Sequence, residues 1–212
     1  MKFIAQHSKI NPILEQTLGR KLVLPKRQIR TPEDLISLFP ELSDIFVDGT
    51  ERPIQRPKDR DRQKNNYPGK KKRHTRKNTI ISDKNKRIVY LDSTVEGKKH
   101  DYSMFKNKMP LDINSKKHNF WMDLRYMGVK KDYPDINIIM PKKKPKGKEL
   151  TENEKENNQI IIGFRVKAEH AIGGIKRLRI TTDVFRNKKD KFNDRIMMIA
   201  SDYGIIILNL ND

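Results

Sequence analysis

The stretch DIFVDGTERPI, residues 44–54, decides how the rest of the chain is read. Ile45, Phe46 and Val47 form a continuous apolar run, Asp48 ends it, and Pro53 closes the segment. A short apolar run that gives way to polar residues predicts a buried strand with a charged mouth. Downstream, TRKNTIISD (75–83) and RIVYLDSTVEG (87–97) are rich in β-branched residues and separated by KNK, which predicts an antiparallel hairpin. NFWMDL (119–124) is a second apolar run ending on an acid, and DINIIMP (135–141) is a strand stopped by Pro141.

Helical spacing alternates with these strands. Tyr102, Phe105 and Met109 recur at helical intervals in HDYSMFKNKM (100–109). Thr151 followed three residues on by Glu154 reads as a capping box within the charged stretch 142–159. The segment 160–180 places Ile161, Phe164, Ala168, Ile172, Ile175 and Leu178 near a 3.6-residue period, despite Gly173 and Gly174. DRIMMIASDYGIIILNL (194–210) is more continuously apolar and predicts a helix that covers the core. Interleaved strands and helices predict a mixed α/β class with helices packed on one sheet.

Upstream, residues 1–43 read as helical and irregular. ILEQTLG (13–19) ends on Gly19, Pro25 breaks the chain, and TPEDLISLF (31–39) has Thr31 as N-cap and Pro32 at the first helical position. This resembles the tail of a helix-turn-helix and not a complete one. QRPKDRDRQKNNYPGKKKRH (55–74) is too charged to pack and reads as a loop.

The chain has 212 residues, 47 Lys+Arg against 27 Asp+Glu, and a formal net charge of +20. That length allows one full domain and a small appendage. Without cysteine, disulfides, thiolate zinc sites and a cysteine nucleophile are excluded. No apolar run approaches the roughly 20 residues that span a bilayer, and the N-terminus has no secretory pattern. The expectation is a soluble, intracellular-type protein with no membrane partner. An unbalanced charge of this size is offset by a polyanion, and clustered Lys and Arg favour nucleic acid over a merely lysine-rich surface. Binding to an acidic membrane would call for a basic amphipathic helix, which is not evident. A ribosome-type RNA-binding protein fits the charge but leaves the acids unexplained.

Those acids are Asp48 and Asp123, each just past an apolar strand, and Glu169, in mid-helix beside the apolar face. Adjacent strands would bring both aspartates to one sheet edge, where a helix could lay Glu169 across them. Hard oxygen donors so gathered suit Mg²⁺ or Mn²⁺. Spacing alone leaves the ordinary alternative open, because carboxylates also cap turns and pair with Arg, and Asp92, Asp101 and Asp132 compete for the role.

Local words narrow the choice. VDGTERPIQRP (47–57), YPGKKKRHTRKN (67–78), HDYSMFK (100–106), MDLRYMGV (122–129), PKKKPKGKELTENEKENN (141–158) and RVKAEHAIGGIKRLRI (165–180) stand in this order. Together they resemble the DDE superfamily transposases of bacterial insertion sequences, in the group related to Harbinger-type transposases. The resemblance implies an RNase H-like mixed sheet flanked by helices, spanning 44–212, after a residual helical segment at 1–43. It implies two Mg²⁺ ions, for which Mn²⁺ can substitute, held by Asp48, Asp123 and Glu169. It further implies cleavage and strand transfer at the ends of a mobile element, with element-end and target DNA as partners and a homodimer or larger assembly on DNA. Two departures stand out: Arg125 occupies the glycine position of a D-x-G-Y pattern, and the chain is short for the family. Arg125 would cost about 1 kcal/mol if the turn needs positive φ. The alternative is therefore a truncated, inactive remnant that only binds DNA.

Lys70, Lys71, Lys72, Arg73, Arg76 and Lys77 are the densest cationic cluster and the first candidates for phosphate contact. Lys176, Arg177 and Arg179 follow Glu169 along its helix, and Arg186, Lys188 and Lys189 continue the basic surface. Trp121 is expected in the core, with base stacking as the other option. His100 and His170 are assigned structural roles beside the acids, since imidazole is a poor Mg²⁺ ligand. Arg52 could pair with a carboxylate or a phosphate.

Overall fold

The apolar run at 45–47 lies in the middle strand of a sheet. The computed structural model describes residues 42–108, 118–189 and 192–210. Its strands are β1 (Asp44–Pro53), β2 (Thr75–Ser82), β3 (Ile88–Leu91), β4 (Val95–Glu96), β5 (Asn119–Trp121) and β6 (Asn137–Ile139). The helices are α1 (Arg60–Asn65), α2 (Asp101–Lys108), α3 (Val129–Asp132), α4 (Glu152–Lys176) and α5 (Phe192–Leu210). The strand order is β3-β2-β1-β5-β6, with β4 pairing the start of β2. β1, β2 and β3 are antiparallel, whereas β1, β5 and β6 are parallel. This is an α/β, RNase H-like arrangement.

Three-residue apolar runs are what a sheet covered on both faces requires. On one face Ile45, Val47, Phe120, Met122 and Ile138 pack with Phe105, Tyr126 and Val129. On the other, Phe46 and Trp121 meet Ala168 of α4. Farther along that second face, Ile80, Ile88 and Leu91 meet Ala171, Ile172 and Ile175 of α4 and Met197 and Ala200 of α5. Small residues on α4 at the contact let the helix approach the sheet closely.

Several expectations change. The capping box forms at Thr151 and Glu154, but it opens the same 25-residue helix that contains Glu169. The apolar stripe of that helix is buried only from Ala168 onward, for Ile160, Ile162 and Phe164 are exposed. Phe164 still covers Trp121, with ring centroids 4.7 Å apart. The stretch 55–74, read as loop, contains α1, capped by the Asp59 side chain on the Arg62 amide, and a 3-10 turn at Gly69–Lys71. The helices expected in residues 1–41 and the position of Met109 lie outside the described residues. Among the described residues no helix is long and apolar enough to cross a membrane.

Candidate active site: carboxylates gathered around one guanidinium

Strand pairing puts the first two acids side by side. Phe46 of β1 is in register with Trp121 of β5 in a parallel pair, and two residues farther on each chain stand Asp48 and Asp123. The pleat sends Asp48 to the same face as Phe46, beneath α4. Asp48 is only 5% exposed. Asp123 leaves the sheet and caps the 3-10 turn Leu124–Tyr126, accepting from the Arg125 amide at 2.7 Å.

Arg125 then folds back over both. Its Nε donates to Asp123 Oδ2 at 2.5 Å and its Nη2 to Asp48 Oδ1 at 2.9 Å. Nη1 lies 3.1 Å from Asp101 Oδ2, so one guanidinium spans three carboxylates. Asp101 opens α2, is buried, and also binds Lys77 Nζ at 3.0 Å. From α4, Arg165 Nη2 lies 3.6 Å from Asp48 Oδ2, and the Gly49 amide donates to Asp48 Oδ1 at 2.7 Å. Arg165 Nε is buried and has no hydrogen-bond partner among the described residues.

Burial is the largest influence on Asp48 and carries its carboxyl above the ordinary range. Arg125, the Gly49 amide and Arg165 pull it back, while the charge of Asp123 adds to the rise. That mutual repulsion records two carboxylates close enough to feel one another. Arg125 loses hydration, yet its acidic neighbours, Asp123 foremost, hold its proton more firmly than usual. Tyr126, wholly buried beside these acids, is pushed well above its ordinary range by desolvation first and by Asp101 and Asp48 next.

Asp48 and Asp123 are thus brought together as expected. The third acid on the shared guanidinium is Asp101, one of the competing candidates, and not Glu169. Glu169 lies one helical turn beyond Arg165, with its side chain exposed and making no hydrogen bond or ion pair to the described residues. Among the described residues no three His, Asp or Glu side chains are drawn together tightly enough to hold a metal ion. Asp48 and Asp123 nonetheless offer the hard oxygen donors that Mg²⁺ or Mn²⁺ takes. A positive group, the Arg125 guanidinium, already stands between them, so this donor pair fits a divalent cation. The strain foreseen at Arg125 does not arise, because the only non-glycine residues with positive φ among those described are Lys72 and Lys86.

The basic candidates scatter. Lys70, Lys71, Lys72 and Arg73 are exposed on and after the 3-10 turn that precedes β2. Lys77 is engaged by Asp101, and Arg179 Nε lies 3.4 Å from Asp183 Oδ2. Lys176 ends α4 and Arg177 caps it, both exposed, while Arg186 lines a groove described below. Trp121 is core: it stacks between Phe46 and Phe164 and donates to Asp44 Oδ1 at 2.8 Å. His100 and His170 are exposed. Arg52 is buried and bonds Asn193 and Thr94. The sequence reading missed Arg125 as a bridge and Arg165 as a partner of Asp48. Position 165 lies seven before Ile172, on its buried stripe, which was the available signal.

A mixed sheet with Asp48 on one strand of its central parallel pair and Asp123 two residues past the end of the other is an RNase H-like frame. Residues 47–201 match the family described as DDE superfamily endonuclease, and the chain belongs to that family. It is also 31% identical over 187 residues to a probable transposase for insertion sequence element IS702 from Microchaete diplosiphon. That alignment covers 88% of this chain and 63% of the relative, so the chain spans less than two thirds of the relative's length. No solved structure matches the chain significantly.

Proposed function

We propose that this chain is the catalytic part of an insertion-sequence transposase that cleaves DNA at element ends and transfers the freed strand to target DNA. The observation that carries this reading is the shared guanidinium of Asp48 and Asp123, two acids 75 residues apart in sequence, one on β1 and the other two residues past the end of its parallel neighbour β5. Residues 44–212 form the catalytic domain and residues 1–43 belong to a DNA-binding region.

In this reading Asp48 and Asp123 hold Mg²⁺, with Mn²⁺ as a substitute, and Glu169 completes the set from α4. Two such ions supply activation of the attacking water or 3′-hydroxyl and stabilisation of the leaving oxygen. The chain's own part is to fix the donors. The sheet register sets the spacing of Asp48 and Asp123, and burial on the α4 side excludes water from one side of Asp48. Arg165 anchors α4 over Asp48, one turn before Glu169. Exposed cations at Lys70, Lys71, Lys72, Arg73, Lys176 and Arg177 bind backbone phosphates, and Arg179 and Arg186 extend that surface, while Lys77 is held by Asp101. A homodimer or larger assembly on DNA, in the cytoplasm at the nucleoid, follows from the same reading.

The second reading, a protein that binds DNA without cutting it, draws support from Arg125, which satisfies Asp48 and Asp123 internally. Nicking of supercoiled DNA separates the two. The transposase reading expects Mg²⁺- or Mn²⁺-dependent nicking that Asp48→Asn abolishes. Equal nicking by both proteins, or none by the parent chain, overturns it.

A further inference from the structure

The strongest unassigned feature lies at the far end of β1. The segment after β1 and the segment before α5 face one another across a groove of about 640 Å³. Arg56, Lys58 and Arg62 line it from the first segment, Arg186, Lys188 and Lys189 from the second, and Arg76 of β2 adds a seventh cation. Only two acids, Asp59 and Glu96, share the lining, and Asp59 is already committed to capping α1. Among the described residues none of the seven cations is held in an ion pair.

The groove is also rigidly framed. Gln55 N donates to Phe185 O and Phe185 N to Pro53 O, both at 3.0 Å, so the two walls are stitched through backbone. Behind them Phe185 is 6% exposed and stacks on Phe192, and the Arg52 guanidinium lies 5.8 Å over the Phe185 ring. Arg52 in turn grips Asn193, another lining residue. Like charges gathered on a fixed concave frame repel one another unless an anion with regularly spaced charge enters. A frame set in advance also lowers the ordering cost of binding.

We infer that this groove is a separate binding site for the DNA phosphodiester backbone, distinct from the scissile position at Asp48. The inference rests on the reading that the chain acts on DNA, and it adds a second point of contact. Asp48 and Ile54 are six residues apart on one extended strand, a span of about 20 Å. At 3.4 Å per base pair that is about 6 bp of duplex between the cut and the groove. The groove therefore grips DNA about half a helical turn from the chemistry and fixes how the duplex enters.

The test is fluorescence anisotropy of the full chain with a duplex of about 20 bp, in EDTA, over a range of salt. The triple variant Arg62→Gln, Arg186→Gln and Lys188→Gln is compared with Lys143→Gln, Lys146→Gln and Lys148→Gln on the exposed 141–149 loop. Each lost phosphate contact lowers the slope of log affinity against log salt by about 0.9, so the groove triple should lower it by about 3. The control triple should leave the slope within about 1 of the parent. Lys188→Gln alone should lower it by about 0.9, which guards against a misfolded triple. An unchanged slope in the groove triple, or an equal fall in both triples, overturns the groove while the DNA reading stands. A parent chain that does not bind the duplex overturns both.

Discussion

The acid cluster sits at the middle of the central strand and the basic groove just past its end, and they treat charge in opposite ways. At Asp48 the cations are consumed: Arg125, Arg165 and Lys77 are all spent on carboxylates of the chain itself. At the groove seven cations line a concave frame with no ion pair among the described residues. The first region is balanced from within and packed; the second is unbalanced and open to solvent. Part of the net charge of +20 is therefore left uncompensated at the groove, where a polyanion can reach it. Changes at the packed end should read out as stability or cation affinity. At the open end they should read out as DNA affinity alone.

The largest effect is expected from Gly128→Ala. Gly128 has ordinary helical backbone angles, φ −67° and ψ −20°, so an alanine there is not strained by conformation. Its Cβ would, however, lie 2.5 Å from Cε1 of Tyr102 on α2, the helix that carries Asp101. Urea denaturation should show a loss of about 2 kcal/mol. A melt like the parent's would mean that the acid end is looser than its packing implies.

Next comes Arg125→Gly. Removing the internal cation frees Asp48 and Asp123, so a divalent ion no longer competes with a guanidinium for them. Calorimetric titration with Mn²⁺ should show affinity raised about tenfold, equivalent to about 1.4 kcal/mol. Unchanged or weaker binding would show that Arg125 supports the donors instead of blocking them.

Asp44 offers a smaller and pH-dependent test. Burial opposes its ionisation, but hydrogen bonds from Asn119, Trp121 and Ser43 outweigh that and hold its carboxyl below the ordinary 3.8. A depressed folded-state value means stability present above the unfolded value and lost as pH falls through the folded one. Asp44→Ala should cost about 1 kcal/mol at neutral pH, through loss of the bonds tying β1 to β5. The gap between the two proteins should shrink as the denaturation is repeated at pH values falling below the ordinary carboxylate value. A gap that holds constant would place the effect in packing. Smallest of all, single groove substitutions such as Lys188→Gln should move stability by no more than about 0.5 kcal/mol while DNA binding falls. A comparable loss of stability would erase the contrast between the two ends.

Much of this frame could be read from local words. IFVD and FWMD announce strands that end on acids because both carry three consecutive apolar residues, which only a sheet covered on both faces can bury. The β-branched segments around KNK made the hairpin legible. Asp101 and Arg125 could not be placed together from the sequence, since their meeting depends on how α2 docks and on a side-chain path of several rotatable bonds. The groove was equally hidden: its walls at 54–62 and 185–189 are joined by the pairing of Ile54 with Phe185, a contact without a local pattern. Helix α1 was missed because none of its residues is buried, so no periodic stripe marks it. Phe164 looked like core by spacing, yet it covers Trp121 at the end of β5 and stays 43% exposed.

The central claim, that Asp48 and Asp123 are the donors for a divalent cation, is tested most directly by Mn²⁺ titration followed by electron paramagnetic resonance. The parent chain should quench the free Mn²⁺ signal saturably, and the double variant Asp48→Asn and Asp123→Asn should leave it close to that of Mn²⁺ in buffer. Identical titration curves for the two proteins would contradict the claim.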